Sequence, residues 1–232
     1  MEYYYGQPEG DHITLEETES RHLLRVRRAR PGDIVFVTDG AGNLYEATVD
    51  EAGKSSCILR VKSTITTAPP AFSLHIAVAP TKNMDRIEWF LEKAVETGIG
   101  EVSFIECSRS ERRDLKTDRL LRVMISSMKQ SLGVFLPKIN PMVKLDAFLG
   151  RNFDVVRIIC TSEAEAMSTM KKNCMPGLSL IALIGPEGDF HPDELKLAIS
   201  RGFTPTSLGN KRLRTETAAL NVCTVFNFLQ LQ

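Results

Sequence analysis

The stretches Ile181-Ala182-Leu183-Ile184-Gly185-Pro186-Glu187-Gly188-Asp189 and Ser207-Leu208-Gly209-Asn210-Lys211-Arg212-Leu213-Arg214-Thr215-Glu216-Thr217-Ala218-Ala219-Leu220 decide the fold. They read as two apolar strands, each ending in a glycine-bearing turn that leads towards a helix. The first strand is Leu178–Ile184, and the helix after the second turn opens near Thr215. A strand that runs into a glycine turn presents backbone N–H and C=O groups at the carboxyl edge of a sheet, where α/β proteins place their ligands. Neither turn has the glycine spacing of a phosphate cradle, and Glu187 and Asp189 would repel a phosphate. The turns suit a neutral or cationic ligand.

Working outward, the chain before these turns alternates strands and helices. Phe72–Ala79 reads as a buried strand. Ile87, Phe90, Leu91, Ala94 and Val95 recur at helical spacing, with Trp89 read as core and Gly98 where a C-cap belongs. Val102–Ile105, Thr117–Leu132, Val155–Cys160 and Ser162–Lys172 continue the rhythm. Such alternation predicts a mostly parallel sheet with helices on both faces. His191-Pro192-Asp193-Glu194 reads as a helix start, with proline first and acids in the first turn.

Residues 1–67 read differently, as a small β-rich domain. Ile34–Thr38, Leu44–Val49 and Ser56–Val61 are short strand patterns, and Asp39-Gly40 with Gly42-Asn43 are hairpin signals. Thr18–Arg28 reads as one helix with Leu23, Leu24 and Val26 facing inwards. Ser63–Ala71, with two prolines, reads as an extended linker. The expected domains are therefore 1–69 and 70–232.

Composition is that of a globular chain: 232 residues, 43% hydrophobic, 25% charged and zero formal net charge. No apolar run is long enough to span a membrane. The first twenty residues are acidic and tyrosine-rich, unlike a secretory signal. Five cysteines are scattered without zinc spacing, so no metal is expected, and reduced thiols point to the cytoplasm. Charge is unevenly distributed: Arg21–Arg30 holds five arginines, and Arg109, Arg112, Arg113, Lys116 and Arg119 form a second group. Lys211, Arg212 and Arg214 form a third. These groups would track an RNA backbone if they converge, or else stand as solvated helix faces.

GPEGDF (185–190) and LGNKRLRTETAAL (208–220), in this order near the C-terminus, resemble the SPOUT superfamily of S-adenosylmethionine-dependent RNA methyltransferases. The branch they most resemble is the ribosomal small-subunit methyltransferase E family, which methylates uridine N3 in 16S ribosomal RNA. PTKNMDRIEWFLEKAVETGI (80–99) is similar to the family's Lys-x-x-Arg-x-Glu helix and its continuation, and Ser110-Glu111-Arg112 and Lys129-Gln130-Ser131 fall where it carries short signatures. The run from His22 through Gly32-Asp33 to Gly42 is similar to the family's PUA-like barrel. The resemblance implies an α/β fold: a C-terminal SPOUT domain with a trefoil knot at about 180–220 and a mostly parallel sheet, preceded by a small PUA-like β-barrel. It also implies S-adenosylmethionine as methyl donor, 16S rRNA of the small ribosomal subunit as partner, and a homodimer through the knot domain, with no membrane. One departure stands out: the family usually has a second glycine at 189, where this chain has Asp.

The residues then sort into expected roles. Leu183, Gly185, Pro186, Gly188, Leu208, Gly209, Leu213, Arg214, Thr215 and Ala218 are the candidate cofactor residues, combining backbone edges with apolar cover. Leu183 and Leu208 as plain core and the glycines as plain turns are the competing readings. Uridine N3 carries a proton that must leave, so a carboxylate or an oxyanion-stabilising arginine is needed. Glu187 is the candidate base, with Arg214 and Arg112 orienting uracil or phosphate. Glu187 bound to a neighbouring N–H, and Glu216 favoured by a helix dipole, are the bland alternatives. His22, Arg25, Arg28, Lys82, Arg86 and Arg112 are the candidate RNA contacts. Rival functions are a SPOUT enzyme acting on ribose 2′-O or a tRNA base, a non-catalytic RNA-binding module, and a nucleotide-binding α/β enzyme of another class.

Overall fold

The computed structural model describes residues 2–53, 56–162 and 168–231. Two compact units form: Met1–Pro69 with Ile125–Leu136, and Pro70–Met124 with Pro137–Gln232.

In the first unit the strands are β1 (Tyr3–Tyr5), β2 (Pro8–Glu9), β3 (His12–Leu15), β4 (Ile34–Thr38), β5 (Asn43–Ala52) and β6 (Cys57–Thr66). Among the described residues they form a six-stranded sheet in the order β1-β4-β5-β6-β3-β2. Alternation puts Val35 and Val37 of β4 and Tyr45, Ala47 and Val49 of β5 into one core with Tyr4, Ile13, Leu15 and Leu59. The β4–β5 hairpin turns on Asp39, whose carboxylate accepts from the backbone N–H of Ala41 (2.7 Å) and Asn43 (3.2 Å), from Asn43 Nδ2 (2.7 Å) and from Tyr45 OH (3.0 Å). Burial alone would raise its pKa, but these hydrogen bonds outweigh burial and hold it below the usual carboxylate value.

Two expectations for this unit need correction. Helix α1 covers only Glu17–Arg21 and passes into a π-helical turn over His22–Val26. The wider turn rotates the following side chains, so Leu23 is buried while Val26 is 69% exposed rather than inward. The linker reading also fails at its start, since Ser63–Thr66 belong to β6 and pair with Asn43–Glu46 of β5. Prolines 69 and 70 lie beyond the strand, where the missing N–H costs no ladder bond.

The second unit starts with β7 (Leu74–Val78), α2 (Met84–Thr97) and β8 (Glu101–Glu106). Helix α3 (Thr117–Gln130), which belongs to this unit as far as Met124 and to the first unit from Ile125, comes next, and β9 (Lys138–Lys144), α4 (Leu145–Leu149) and β10 (Val156–Cys160) follow. After these come β11 (Ser168–Thr169), α5 (Met170–Asn173), β12 (Leu180–Ile184), α6 (Pro192–Ser200), β13 (Thr204–Ser207) and α7 (Thr215–Gln230). Of the expected segment 162–172, residues 163–167 lie outside the described residues. Among the described residues the sheet has seven strands in the order β11-β13-β10-β12-β7-β8-β9, and its ladders are parallel. All five residues of β12 are buried, the continuous apolar reading of a parallel strand covered on both faces. Strand β13, Thr-Pro-Thr-Ser, is not the apolar strand expected. Its buried Thr206 is tolerated because its hydroxyl donates to Thr204 O (3.0 Å) and accepts from Asn173 Nδ2 (2.7 Å).

The helix ends follow their local signals. Asn83 caps α2 by accepting from Asp85 N (2.9 Å), and Gly98 closes it in the left-handed region at φ 93°. Trp89 is 43% exposed on that helix, a correction to its core reading, while Ile87, Phe90, Leu91, Ala94 and Val95 are buried as expected. His191 caps α6 in a reciprocal box with Glu194, with Pro192 first in the helix.

At the amino edge of the sheet, His75 hydrogen-bonds with Ser103 Oγ (2.9 Å) and packs edge-on to Phe148 and Phe153. Its pKa is pushed down to about 4, first by burial and then by the neighbouring charges of Lys138 and Arg151, against the pull of Glu101. The imidazole is therefore neutral when folded, and the unfolded chain takes up the proton first as pH falls below 6.5. Stability is expected to drop by about 2–3 kcal/mol between pH 6.5 and 4 on account of this group, from the linkage of its shift. Denaturation of wild type and His75→Gln at both pH values checks this: the variant should show a shallower pH slope, and equal slopes would contradict it.

Candidate active site

Three strands end level with one another at the carboxyl edge of the second unit. Cys160 of β10 lies opposite Ile184 of β12 and Thr206 of β13. The loops that follow, at Thr161–Ser162, Gly185–Asp189 and Leu208–Arg212, therefore emerge side by side. They border a cavity of about 630 Å³ that Thr215 and Ala218 of α7 also line. That volume lies within the usual range for small-ligand sites.

The first turn is held from several directions. Thr215 Oγ1, at the start of α7, donates to Gly185 O (3.1 Å). Arg109 Nη1 donates to Gly188 O (2.6 Å) and Phe190 O (3.2 Å), and Arg212 Nη2 donates to Glu187 O (3.0 Å). Arg86 Nη1 donates to Glu187 Oε1 (2.9 Å), while its Nε lies 3.7 Å from Glu216 Oε1. Glu216 is only 5% exposed, and its Oε2 has no hydrogen-bond partner among the described residues. One guanidinium thus serves two carboxylates, a half-exposed one on the turn and a buried one in the first turn of α7. The polar turn is anchored by charge-assisted bonds, the stronger kind.

The second turn is open. Gly209 has φ 122°, accessible to glycine at little cost, and no atom lies within 4 Å of where its Cβ would be. Gly185 is more confined: an added Cβ would stand 3.0 Å from the ring of Phe190.

Of the residues singled out in the sequence, Gly185, Pro186, Gly188, Leu208, Gly209, Leu213, Thr215 and Ala218 line the cavity, together with Glu187. Leu183 does not: it is fully buried in the sheet core with Ile159 and Ile181. Arg214 also lies outside the lining, exposed as the N-cap residue of α7. Arg112 donates to the carbonyls of Thr81 (3.3 Å) and Lys82 (2.7 Å), and Lys82 Nζ lies 3.6 Å from Glu111, so these two cations are braced on the loop before α2. In the first unit His22, Arg25 and Arg28 are exposed, His22 Nδ1 lying 3.4 Å from Glu2 Oε1.

Sequence reasoning missed Cys160, Thr161 and Ser162 as lining residues. The signal was there: β10 is a third parallel strand, and the rule that placed the other turns at the carboxyl edge applies to it equally. The Cys160 thiol is pushed well above its usual pKa, first by burial and then by Cys174 and Asp189, which makes it an inert wall and no nucleophile. Among the described residues no cluster of His, Cys, Asp and Glu could hold a metal ion.

Residues 68–227 match the RNA methyltransferase domain, and residues 15–62 match the RNA methyltransferase PUA domain. The ribosomal RNA small subunit methyltransferase E of Rickettsia conorii is 26% identical over 215 residues, covering 91% of this chain and 88% of that protein. The Aquifex aeolicus protein of the same name is 24% identical, covering 96% of this chain and 97% of its own length. A crystal structure described as a "probable rRNA-methyltransferase" from Porphyromonas gingivalis shares 38% identity, with a TM-score of 0.93 over 100% of this chain and 99% of that one. The Neisseria gonorrhoeae ribosomal RNA small subunit methyltransferase E, solved bound to S-adenosyl methionine, has the same fold at 23% identity, with a TM-score of 0.87 covering 99% of this chain and 98% of that one.

Proposed function

We propose, from the premise that this chain belongs to the RNA methyltransferase family, that it transfers methyl from S-adenosylmethionine to N3 of a uridine in 16S rRNA of the small ribosomal subunit. The observation that carries this is the cavity at the carboxyl edge, lined by two glycine-bearing turns and by both polar and apolar atoms. The residues fit the donor: exposed backbone at Gly188 and Gly209 can meet an adenine edge or an amino-acid end, Gly185 lines the wall with its carbonyl held by Thr215, and Leu208, Leu213 and Ala218 can cover a ring. Leu183 would support this wall from the core, and Arg214 would stand at its rim. When bound, the donor supplies a methyl group on a cationic sulfur, open to in-line displacement.

The chain's own part is to orient the uracil and remove its N3 proton. Glu187 is the proposed acceptor. One of its oxygens is fixed by Arg86, and Oε2 takes no protein hydrogen bond among the described residues. Arg112 and Arg214 would orient uracil or phosphate, and Lys82 and Arg86 would add charge to the second unit's RNA surface. His22, Arg25 and Arg28 would serve the first unit's RNA surface. Positioning is expected to carry much of the rate, as in other displacement reactions.

Further features belong to the same reading. The segment at about 180–220 would thread as a trefoil knot, consistent with β10 lying between β12 and β13 in the sheet. The domains would divide at 1–69 and 70–232. Two copies would pair through the knot domain, an arrangement supported by exposed Phe228 and Leu231 near the end of α7. The enzyme would work in the cytoplasm, where its substrate is assembled, and no described helix is long and apolar enough to cross a membrane.

Labelled methyl transfer to 16S rRNA, 23S rRNA and tRNA tests the substrate class. Transfer to 16S rRNA, free or in small subunits, is the expected result. Labelling of tRNA in preference would overturn it.

A further inference from the structure

Asp189 holds a backbone conformation that side chains rarely adopt, with φ 59° in the left-handed region. Glycine would sit there at less cost, and aspartate is among the few residues that tolerate it. The carboxylate is fully engaged. Its Oδ2 accepts from Thr161 Oγ1 (3.1 Å), Ser162 N (3.0 Å) and Ser162 Oγ (3.0 Å), and its Oδ1 accepts from Phe190 N (2.8 Å). Thr161 and Ser162 leave β10, whereas Asp189 ends the turn after β12, and all three line the same cavity. One side chain therefore ties two walls of the cavity together across neighbouring strands.

We propose that Asp189 is a positioning residue for the methyl donor: its carboxylate staples the Thr161–Ser162 loop to the Gly185–Asp189 turn and fixes the width of the cavity between them. This rests on the reading of the cavity as the donor site. The staple acts through three hydrogen bonds to a charged acceptor, bonds stronger than neutral ones. Without it, the Ser162 N–H and hydroxyl lose this acceptor, and the wall is no longer tied to the Gly185–Asp189 turn by this carboxylate.

Two variants separate the staple from the backbone it strains. Asp189→Gly relieves the left-handed residue but removes the carboxylate and its four hydrogen bonds, so it should fold cooperatively with a thermal midpoint somewhat below wild type. Asp189→Asn keeps a carbonyl oxygen for the same donors. Calorimetric titration with S-adenosylmethionine should show affinity about tenfold weaker for Asp189→Gly and within about threefold of wild type for Asp189→Asn, the size expected when charge-assisted bonds are lost or kept in neutral form. In steady state the KM for the donor should rise in Asp189→Gly while the KM for RNA stays unchanged. Wild-type affinity in a folded Asp189→Gly would overturn the proposal, and so would an Asn variant as weak as the glycine one. No binding to wild type would overturn both the staple and the donor-site reading, whereas wild-type binding with an indifferent glycine variant sinks the staple alone.

Discussion

Arg86→Ala is expected to cost about 3–5 kcal/mol of stability, because it leaves the carboxylate of Glu216 buried without a counter-charge. Glu216 sits in the first turn of α7 with one oxygen 3.7 Å from Arg86 Nε and the other without a partner among the described residues. The helix dipole favours the charge there, but a dipole contributes only about 0.3–1 kcal/mol in ordinary settings, too little to replace a guanidinium. Glu187 shares the same arginine at 2.9 Å yet is half exposed, so Glu187→Ala should cost no more than about 1 kcal/mol, as surface pairs do. The closer pair is thus the less important for stability, because burial outweighs distance. Adding Glu216→Gln to Arg86→Ala should recover much of the loss by removing the stranded charge. Chemical denaturation of the three variants checks this. A loss below about 0.5 kcal/mol in Arg86→Ala would mean that Glu216 does not depend on the arginine, since that is the ordinary scatter of surface substitutions.

Gly209→Arg is expected to abolish donor binding, weakening it more than about a hundredfold, since filling a site loses the whole of the ligand's contact energy. The position tolerates only glycine comfortably at φ 122°, and an added Cβ meets open space rather than packed protein at a residue that lines the cavity. The strain should cost about 1–3 kcal/mol, which the fold can absorb, so the variant should unfold cooperatively at a lower midpoint. Titration with S-adenosylmethionine reads the effect directly. Unchanged affinity in the variant would place the donor elsewhere.

Much of the fold was legible because its determinants are local. Strand β12 announces itself as Leu-Ile-Ala-Leu-Ile, and α2 and α6 carry their own caps at Asn83, Gly98 and His191. What escaped depends on partners distant in sequence. Thr204–Ser207 looks polar, and it becomes a strand by pairing with β10 and β11, with Asn173 satisfying its one buried residue, Thr206. Ser63–Thr66 reads as linker until β5 offers it a ladder. Val26 turns outwards because a helix widens by one residue per turn at His22, a change that no periodicity predicts.

The site divides in the same way. The two glycine turns could be found from sequence because a strand running into glycine is a local pattern. The loop after β10 has no glycine, so only the place of its strand in the parallel sheet, and no local pattern, points to it. Nor could the pairing of Arg86 with Glu187, 101 residues apart, be read from spacing. The same holds for the engagement of Asp189 with Thr161 and Ser162: the aspartate was visible as an oddity in its turn, but its purpose depends on a neighbouring strand.

The most direct test of the central claim is to digest 16S rRNA after reaction with purified protein and labelled S-adenosylmethionine, and to identify the labelled nucleoside by mass spectrometry. The account predicts a uridine methylated on the base at N3, made by wild type and lost in Gly209→Arg. Label recovered on a ribose 2′-oxygen or on another base would contradict it.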